Sequence, residues 1–232
     1  MDLKDILNNT LAQSGFLERT SFTGSADPDD KQMVAIANRG AYKFMTYFKW
    51  SGLRTDAEID SLPGQQTYDL PGDFQDLVPN SAWEGEGERP VEWPVPDDRW
   101  FMYKFTSYSS GGVYRVRKFG DTIEVLSDVD DTTNFQYQYI SKWVVQDEQQ
   151  VLKEFFTADS DTYRLDDQVL ILGIPAHWMQ TRMMPQYQEH YGNYNRKLSE
   201  AIGRSVGGKT IGGRGAGGFG RRDPFYPLWR PS

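Results

Sequence analysis

The sequence predicts an α+β protein: a helical bundle with an inserted small antiparallel β domain and a flexible Gly-rich C-terminal arm. Apolar residues recur with a helical period up to about Trp50. From Thr55 the pattern alternates and is broken by turn residues, and after Leu165 the helical period returns. These changes predict four parts: the first part of the bundle (1–54), the inserted β domain (55–149), the second part of the bundle (150–204) and an extended docking arm (205–232).

The helices are indicated by apolar stripes and by their capping residues. Asp2 is a candidate N-cap for the first helix, and Gly15 follows its last apolar position. Asp27 and Pro28 are typical of the N-cap and first position of the second helix. The third helix is apolar on most sides and should therefore be buried. The predicted helices of the bundle are 2–14, 28–50, 166–184 and 185–203.

The β domain is indicated by alternating residues between turns. Pro-Gly pairs at 63–64 and 71–72 bracket a short strand, and Gly120-Asp121 is typical of a hairpin turn. A short helix capped by Asp97 is expected at 96–105. The predicted strands are 66–70, 77–84, 113–119, 121–126 and 134–143.

Composition and charge exclude several classes of protein. The chain has no cysteine and only two histidines, so we expect no disulfide, no zinc site and no cofactor. It has no run of 18 apolar residues and begins with acids and amides, so we expect neither a membrane span nor export. Five cations and one anion give residues 205–232 a charge of +4, which leaves −12 on the remaining residues of a chain whose total is −8. An acidic body disfavours sequence-specific DNA binding.

One short pattern, GRSVGGKT at 203–210, fits the phosphate-binding loop, with Gly203, Gly208, Lys209 and Thr210 in the required places. That loop works only between a buried strand and a helix. Here a helix precedes it and a glycine-rich stretch follows. We therefore expect no nucleotide binding, and because no catalytic triad or nucleophile elbow is present, no enzyme activity.

Acidic and aromatic residues leave one alternative open. Acidic clusters at 26–30, 127–133 and 158–162 lack calcium-loop spacing and are interpreted as helix caps and turns. The carboxylates of WEGEGE (83–88) are interpreted as a solvated hairpin loop, because a glycosidase pair must be partly buried at a fixed separation. The alternative function is a carbohydrate-binding module whose tryptophans stack on sugars, namely Trp83, Trp93, Trp100 and Trp143.

Four segments in the same order resemble one family. They are an Asp-Pro cap and amphipathic helix ending at an aromatic exit (23–50), YDLPGDF (68–74), the strand FQYQYISKWVV (135–145) and FTADSDTYRLDDQVLILG (156–173). Together they resemble the head-to-tail adaptor, or connector, proteins of short-tailed bacteriophages, over roughly residues 3–203. Such proteins lie beneath the portal of the virion.

The resemblance implies a structural virion protein that is made in the host cytoplasm. Its copies form a ring, of 12 subunits in that family, which binds the portal protein, extends the DNA channel and receives the tail nozzle or hub protein. Double-stranded DNA passes through the lumen without specific binding, and no membrane is involved. An acidic lining would suit that passage.

Two sets of residues are expected to make the partner contacts. The tail-facing loops are predicted to carry Trp83, Glu84, Glu86, Glu88 and Tyr108, because long exposed loops often bind partners. The C-terminal arm is rich in glycine but ends in large apolar and basic residues, which favours docking on the portal. Its docking residues are predicted to be Arg221, Arg222, Phe225, Tyr226, Leu228, Trp229 and Arg230.

Overall fold

The computed structural model describes residues 1–60, 62, 65–85, 89–105, 114–126 and 134–205. Within them it mixes helices with small antiparallel sheets, which agrees with the predicted α+β class. The helices are α1 (Leu3–Gln13), α2 (Pro28–Tyr47), α3 (Asp97–Phe105), α4 (Asp167–Thr181) and α5 (Tyr187–Ser205), with a 3-10 turn at Ser51–Leu53.

The predicted caps of the first two helices are confirmed. The Asp2 carboxylate accepts a hydrogen bond from the backbone N–H of Asp5 at 2.7 Å, and the Asp27 carboxylate accepts one from that of Asp29 at 2.9 Å. Each satisfies an N–H that has no partner within the helix. Gly15 follows α1 with a φ of +76°, a conformation that favours glycine.

Helix α4 packs against α1, α2 and α5. Most of its residues are buried, as its uniformly apolar sequence predicts, and Pro175 lies inside it. The predicted bounds of the last two helices were wrong by a few residues. Helix α4 ends at Thr181 because Arg182 and Met183 form a turn, with Met183 at φ +55°, and α5 begins at Tyr187 rather than at Pro185.

The largest sheet is built around strand β8 (Asn134–Ser141). Strand β1 (Arg54–Asp60) pairs along one edge of β8, and β3 (Phe74–Leu77) and β4 (Trp83–Glu84) pair along the other. The single strand predicted at 77–84 is therefore wrong, since two strands flank a turn there. Strand β5 (Arg89–Pro90) pairs with β4. A second sheet consists of β2 (Thr67–Asp69), β6 (Arg115–Phe119) and β7 (Thr122–Leu126). A third consists of β9 (Val145–Gln146), β10 (Leu152–Lys153) and β11 (Thr162–Tyr163).

Two hydrophobic cores share strand β8. The helical core joins α1, α2, α4 and α5 with Ile140 and a few neighbouring residues. The sheet core joins the first two sheets through Phe135, Tyr137 and Tyr139. Alternate residues of a strand point to opposite faces, so Ile140 lies on the other face of β8 from these aromatic residues.

Candidate interaction surfaces

The predicted tail-facing residues Trp83 and Glu84 lie in strand β4 rather than in a loop. Trp83 is 51% exposed, but Glu84 is buried, so the expectation that Glu84 is a solvated loop residue was wrong. The two residues differ because adjacent side chains of a strand point to opposite faces of the sheet. Glu86, Glu88 and Tyr108 lie outside the described residues.

Beside Trp83 lies a polar face formed by β1 and β8. The amide of Gln138 donates to Asp56 at 2.9 Å, and that of Gln136 donates to Glu58 at 3.2 Å. These residues and Trp83 line a shallow depression of about 660 Å³. Of the other tryptophans named for sugar stacking, Trp143 is half-buried, while Trp93 and Trp100 are buried side chains that cannot stack on a sugar.

A second surface is an aromatic patch on α3 and the end of β6. Phe101 and Phe105 stack with their ring centroids 6.4 Å apart, and both are exposed, as is Phe119. The Arg117 guanidinium lies 4.8 Å from the Phe119 ring centroid. Asp97 was expected to cap α3, but it is the first residue of the helix, and its carboxylate accepts a hydrogen bond from Arg117 at 3.0 Å.

A third surface, the acidic groove, lies between α1, α2 and α4 and has a volume of about 550 Å³. Phe16 and Trp178 form an edge-to-face contact in its wall, with ring centroids 5.6 Å apart. Leu17 at its rim is 88% exposed. Arg182 stacks on Trp178 and pairs with Asp29, so the groove combines apolar and charged walls.

A fourth surface, the tyrosine face, is formed by α2, α4 and α5 around His177. The Tyr194 ring lies edge-on to His177 at 5.8 Å, and Tyr191 lies 6.1 Å from Tyr194. Burial lowers the pKa of His177, and the nearby cations Lys43 and Arg39 lower it further, against a hydrogen bond with Gln180 that raises it. His177 is therefore a half-buried residue beside two exposed cations. Tyr47 also belongs to this face, since burial, Tyr191 and the ionised form of the nearby Tyr47 hydroxyl together raise the pKa of Tyr194.

The four segments that carry the family resemblance are tied together in pairs by partly or fully buried hydrogen bonds. The Asn38 side chain donates to the backbone carbonyl of Phe156 at 3.2 Å and accepts from its N–H at 2.7 Å. The hydroxyl of Tyr139 donates to the buried carboxylate of Asp73 at 2.7 Å. Burial and Asp73 raise the pKa of Tyr139 and that of Tyr137, the latter to about 12. Residues distant in sequence are thus joined by contacts that are costly to leave unmade.

The acidic cluster at 26–30 caps a helix and the cluster at 158–162 lies at a turn, as predicted, but the carboxylates of the second cluster also bind residues outside the turn. In the cluster at 26–30, Asp27 caps α2. In the cluster at 158–162, the Asp159 carboxylate accepts from Ser21 and from the N–H groups of Phe22 and Thr23 at 2.6 to 3.2 Å. Asp161 is fully buried and accepts from Lys153 at 2.6 Å and from two backbone N–H groups. The cluster at 127–133 lies outside the described residues.

The phosphate-loop pattern begins inside a helix. Gly203 lies in the last turn of α5, so a helix and not a strand leads into the pattern. Residues 206–232, which include the predicted docking residues of the arm, lie outside the described part of the chain. None of the described helices is long and apolar enough to cross a membrane.

Comparison with known proteins adds no family. No protein-family model matches the chain, and no curated protein matches its sequence. The function is therefore argued from the residues and surfaces above.

Proposed function

We propose that this chain is a structural virion protein, a head-to-tail adaptor that forms a ring beneath a portal, extends the DNA channel and attaches the tail. The pairing of the resembling segments supports this most: Asn38 joins 23–50 to 156–173, and Asp73 joins 68–74 to 135–145. Residues that a family shares for its fold are expected at such contacts, because their loss leaves buried polar groups unpaired. The resemblance therefore rests on residues that hold distant segments together.

In the proposed adaptor, α1, α2, α4 and α5 form the helical bundle that contacts neighbouring subunits and the portal. The packing of three helices on α4 supports a bundle. The inserted β domain points away from the portal toward the tail nozzle or hub. The aromatic patch of α3 supports that orientation, because exposed Phe101, Phe105 and Phe119 are of the type enriched in protein interfaces.

Purified chain imaged with and without a portal ring tests this proposal. We expect a closed ring, of about 12 copies by the family resemblance, on the portal, with DNA-sized space along its axis. A single copy on the portal, or copies without contact between neighbouring helical regions, would contradict the adaptor. Nucleotide binding that disappears in Lys209→Ala would contradict a purely structural role.

The C-terminal arm is proposed to dock on the portal. Its Phe225, Tyr226, Leu228 and Trp229 supply apolar anchors, and its arginines can pair with acidic groups. A chain ending at Ser205 tests this, because Ser205 is the last residue of α5 and its hydroxyl accepts from the Ser51 N–H at 3.1 Å. We expect unchanged thermal stability and loss of most of the portal affinity. Full retention of portal affinity would reject the docking of the arm on the portal, but it would not reject the ring.

The orientation has a separate test at residues 108–112, which the sequence predicts to be an exposed loop facing the tail. Deleting these residues should leave portal binding intact and impair tail attachment. Loss of portal binding in the deletion would reverse the orientation.

A tail-associated carbohydrate-binding module is the second candidate, and one observation favours it. Trp83 is exposed beside a row of amide and carboxylate side chains, an arrangement that suits stacking on a sugar ring. Trp83→Ala would then abolish binding to cell-surface polysaccharide. This candidate would be rejected if virions that carry Trp83→Ala bound the polysaccharide as well as wild-type virions do, and if the chain also formed a ring on the portal.

A further inference from the structure

We propose that the acidic groove of one copy binds the tyrosine face of the next copy, an inference that rests on the proposed ring. The two surfaces are different parts of the same chain, so the contact is heterologous. Heterologous contacts generate a closed ring when the rotation between copies closes, whereas an isologous contact stops at a dimer. The pairing therefore specifies how a ring would be made.

The groove presents apolar and negative groups to a partner. Its lining carries three carboxylates, Glu18, Asp29 and Asp30, and the cation Arg19, while Arg182 on Trp178 adds a second cation, which leaves a charge of −1. Asp29 is paired with Arg182, and Asp30 is buried. Glu18 is exposed and forms no ion pair within the described residues, so it is available to a cation from outside.

The tyrosine face presents the complementary groups. Arg39 and Lys43 are exposed on α2, and neither forms an ion pair in the part of the chain that the structure describes. Tyr47 and Tyr191 are also exposed on this face. Tyrosine and arginine are enriched in protein interfaces, since they supply large contact area together with a polar group.

Charge complementarity favours a second copy as the occupant of the groove. A negative apolar groove and a positive aromatic face on the same chain attract each other between copies, while two grooves or two tyrosine faces repel. Leu17 extends from the groove rim, where a contact with another copy would bury it. The contact thus combines an apolar anchor with opposite charges around it.

The test measures self-association of the full chain by sedimentation at increasing concentration. Leu17→Lys changes the groove and Lys43→Glu changes the tyrosine face, and both positions are exposed, so folding should be unaffected. Each substitution should weaken association at least about tenfold, since it loses a favourable contact and adds a like charge. Val151→Lys and Lys104→Glu are the matched controls, at exposed positions outside the two surfaces, and should associate like the wild type.

The decisive experiment mixes the two variants. The Leu17→Lys chain keeps its tyrosine face and the Lys43→Glu chain keeps its groove, so an equal mixture should associate at a concentration at which neither variant associates alone. A mixture that stays monomeric there, or a Lys43→Glu chain that associates as tightly as the wild type, would overturn the heterologous contact. A wild-type chain that is monomeric at every concentration would overturn it as well.

Two further outcomes separate this contact from its alternatives. A chain ending at Ser205 should associate like the full chain; if it does not, the C-terminal arm and not the tyrosine face fills the groove. A ring on the portal that is indifferent to both substitutions would reject this contact and leave the adaptor standing. Association as expected without any portal binding would reject the adaptor and leave the contact standing.

Discussion

The helical core and the sheet core are held together by contacts of very different range along the chain. Asn38 reaches Phe156 and Asp159 reaches Phe22, over 118 and 137 residues. In the sheet region the contacts range from the β6–β7 hairpin, where Arg117 reaches Glu124 over only 7 residues, to the Tyr139 hydroxyl, which reaches Asp73 over 66. The helical core therefore cannot close until the whole of the inserted sheet has been spanned, whereas the sheet region closes over shorter segments and contains a local hairpin.

Strand β8 makes the two cores interdependent despite this difference. Phe135, Tyr137 and Tyr139 belong to the sheet core, and Ile140 belongs to the helical core. Because the two faces of β8 belong to different cores, the unfolding of either core exposes apolar residues of this strand to water. We therefore expect both cores to unfold in one cooperative transition.

The largest expected effect comes from Phe44→Ala in the helical core. Phe44 is buried and its ring centroid lies 4.2 Å from that of Trp50. We expect the free energy of unfolding to fall by about 4 kcal/mol, because a large cavity is left. Denaturant unfolding followed by tryptophan fluorescence and by circular dichroism measures it.

Ile123→Ala is the matched substitution in the sheet core, since Ile123 is fully buried there. It should lower the free energy of unfolding by about 3 kcal/mol. Both variants should keep one coincident transition by both probes. Two separated transitions in either variant would show that β8 does not couple the cores.

A smaller effect is expected from Asp161→Asn, which tests a buried carboxylate whose hydrogen-bond donors lie only 3 to 8 residues away in the sequence. The new amide would face several N–H donors, including the Lys153 ammonium, so we expect a loss of about 2 kcal/mol. Asp73→Asn in the sheet region should cost less, because its Tyr139 partner can still donate to an amide oxygen. Equal losses in the two variants would contradict the comparison.

The same contact predicts a pH dependence. Burial alone would raise the pKa of Asp161, but hydrogen bonds from Lys153, Thr157 and Ala158 hold it below the ordinary value of 3.8. The charged carboxylate therefore stabilises the fold above pH 3.8, and this contribution is lost as the pH falls through the lower pKa of the folded state. The stability difference between wild type and Asp161→Asn should shrink on acidification below that pH. A difference that is constant across this range would contradict the assignment.

Local chemistry made the starts of the first two helices predictable, and non-local packing made other features unpredictable. Asp27 with Pro28 identifies the start of α2, because a cap acts within one turn. Strand β1 was missed because most of its residues are polar, and only its pairing with β8 makes it a strand. The turn between β3 and β4 had a local cue in Pro79 and Asn80, and Asn80 adopts φ +57°.

The candidate surfaces show the same division. The exposure of Trp83 was expected, but the burial of Glu84 depends on how β4 pairs with β8. The acidic groove could not be predicted, since it exists only where α1, α2 and α4 meet. Phe16 and Leu17 offered a local cue, since both are apolar residues between the first two predicted helices.

The smallest expected effect comes from two glycines in the helices that pack against each other. A Cβ at Gly173 in α4 would lie 3.0 and 3.1 Å from ring carbons of the buried Tyr194, whereas a Cβ at Gly192 in α5 would meet nothing within 4 Å. Alanine favours a helix over glycine by up to about 1 kcal/mol, so Gly192→Ala should stabilise the chain by about 0.5 kcal/mol. At Gly173 the crowding of a ring that cannot move freely outweighs that gain, and we expect a net loss of about 1 kcal/mol. Thermal unfolding of the two variants side by side measures the difference. If Gly173→Ala were as stabilising as Gly192→Ala, α4 and α5 would have room to separate, and the close packing of α5 on α4 would be looser than the structure indicates.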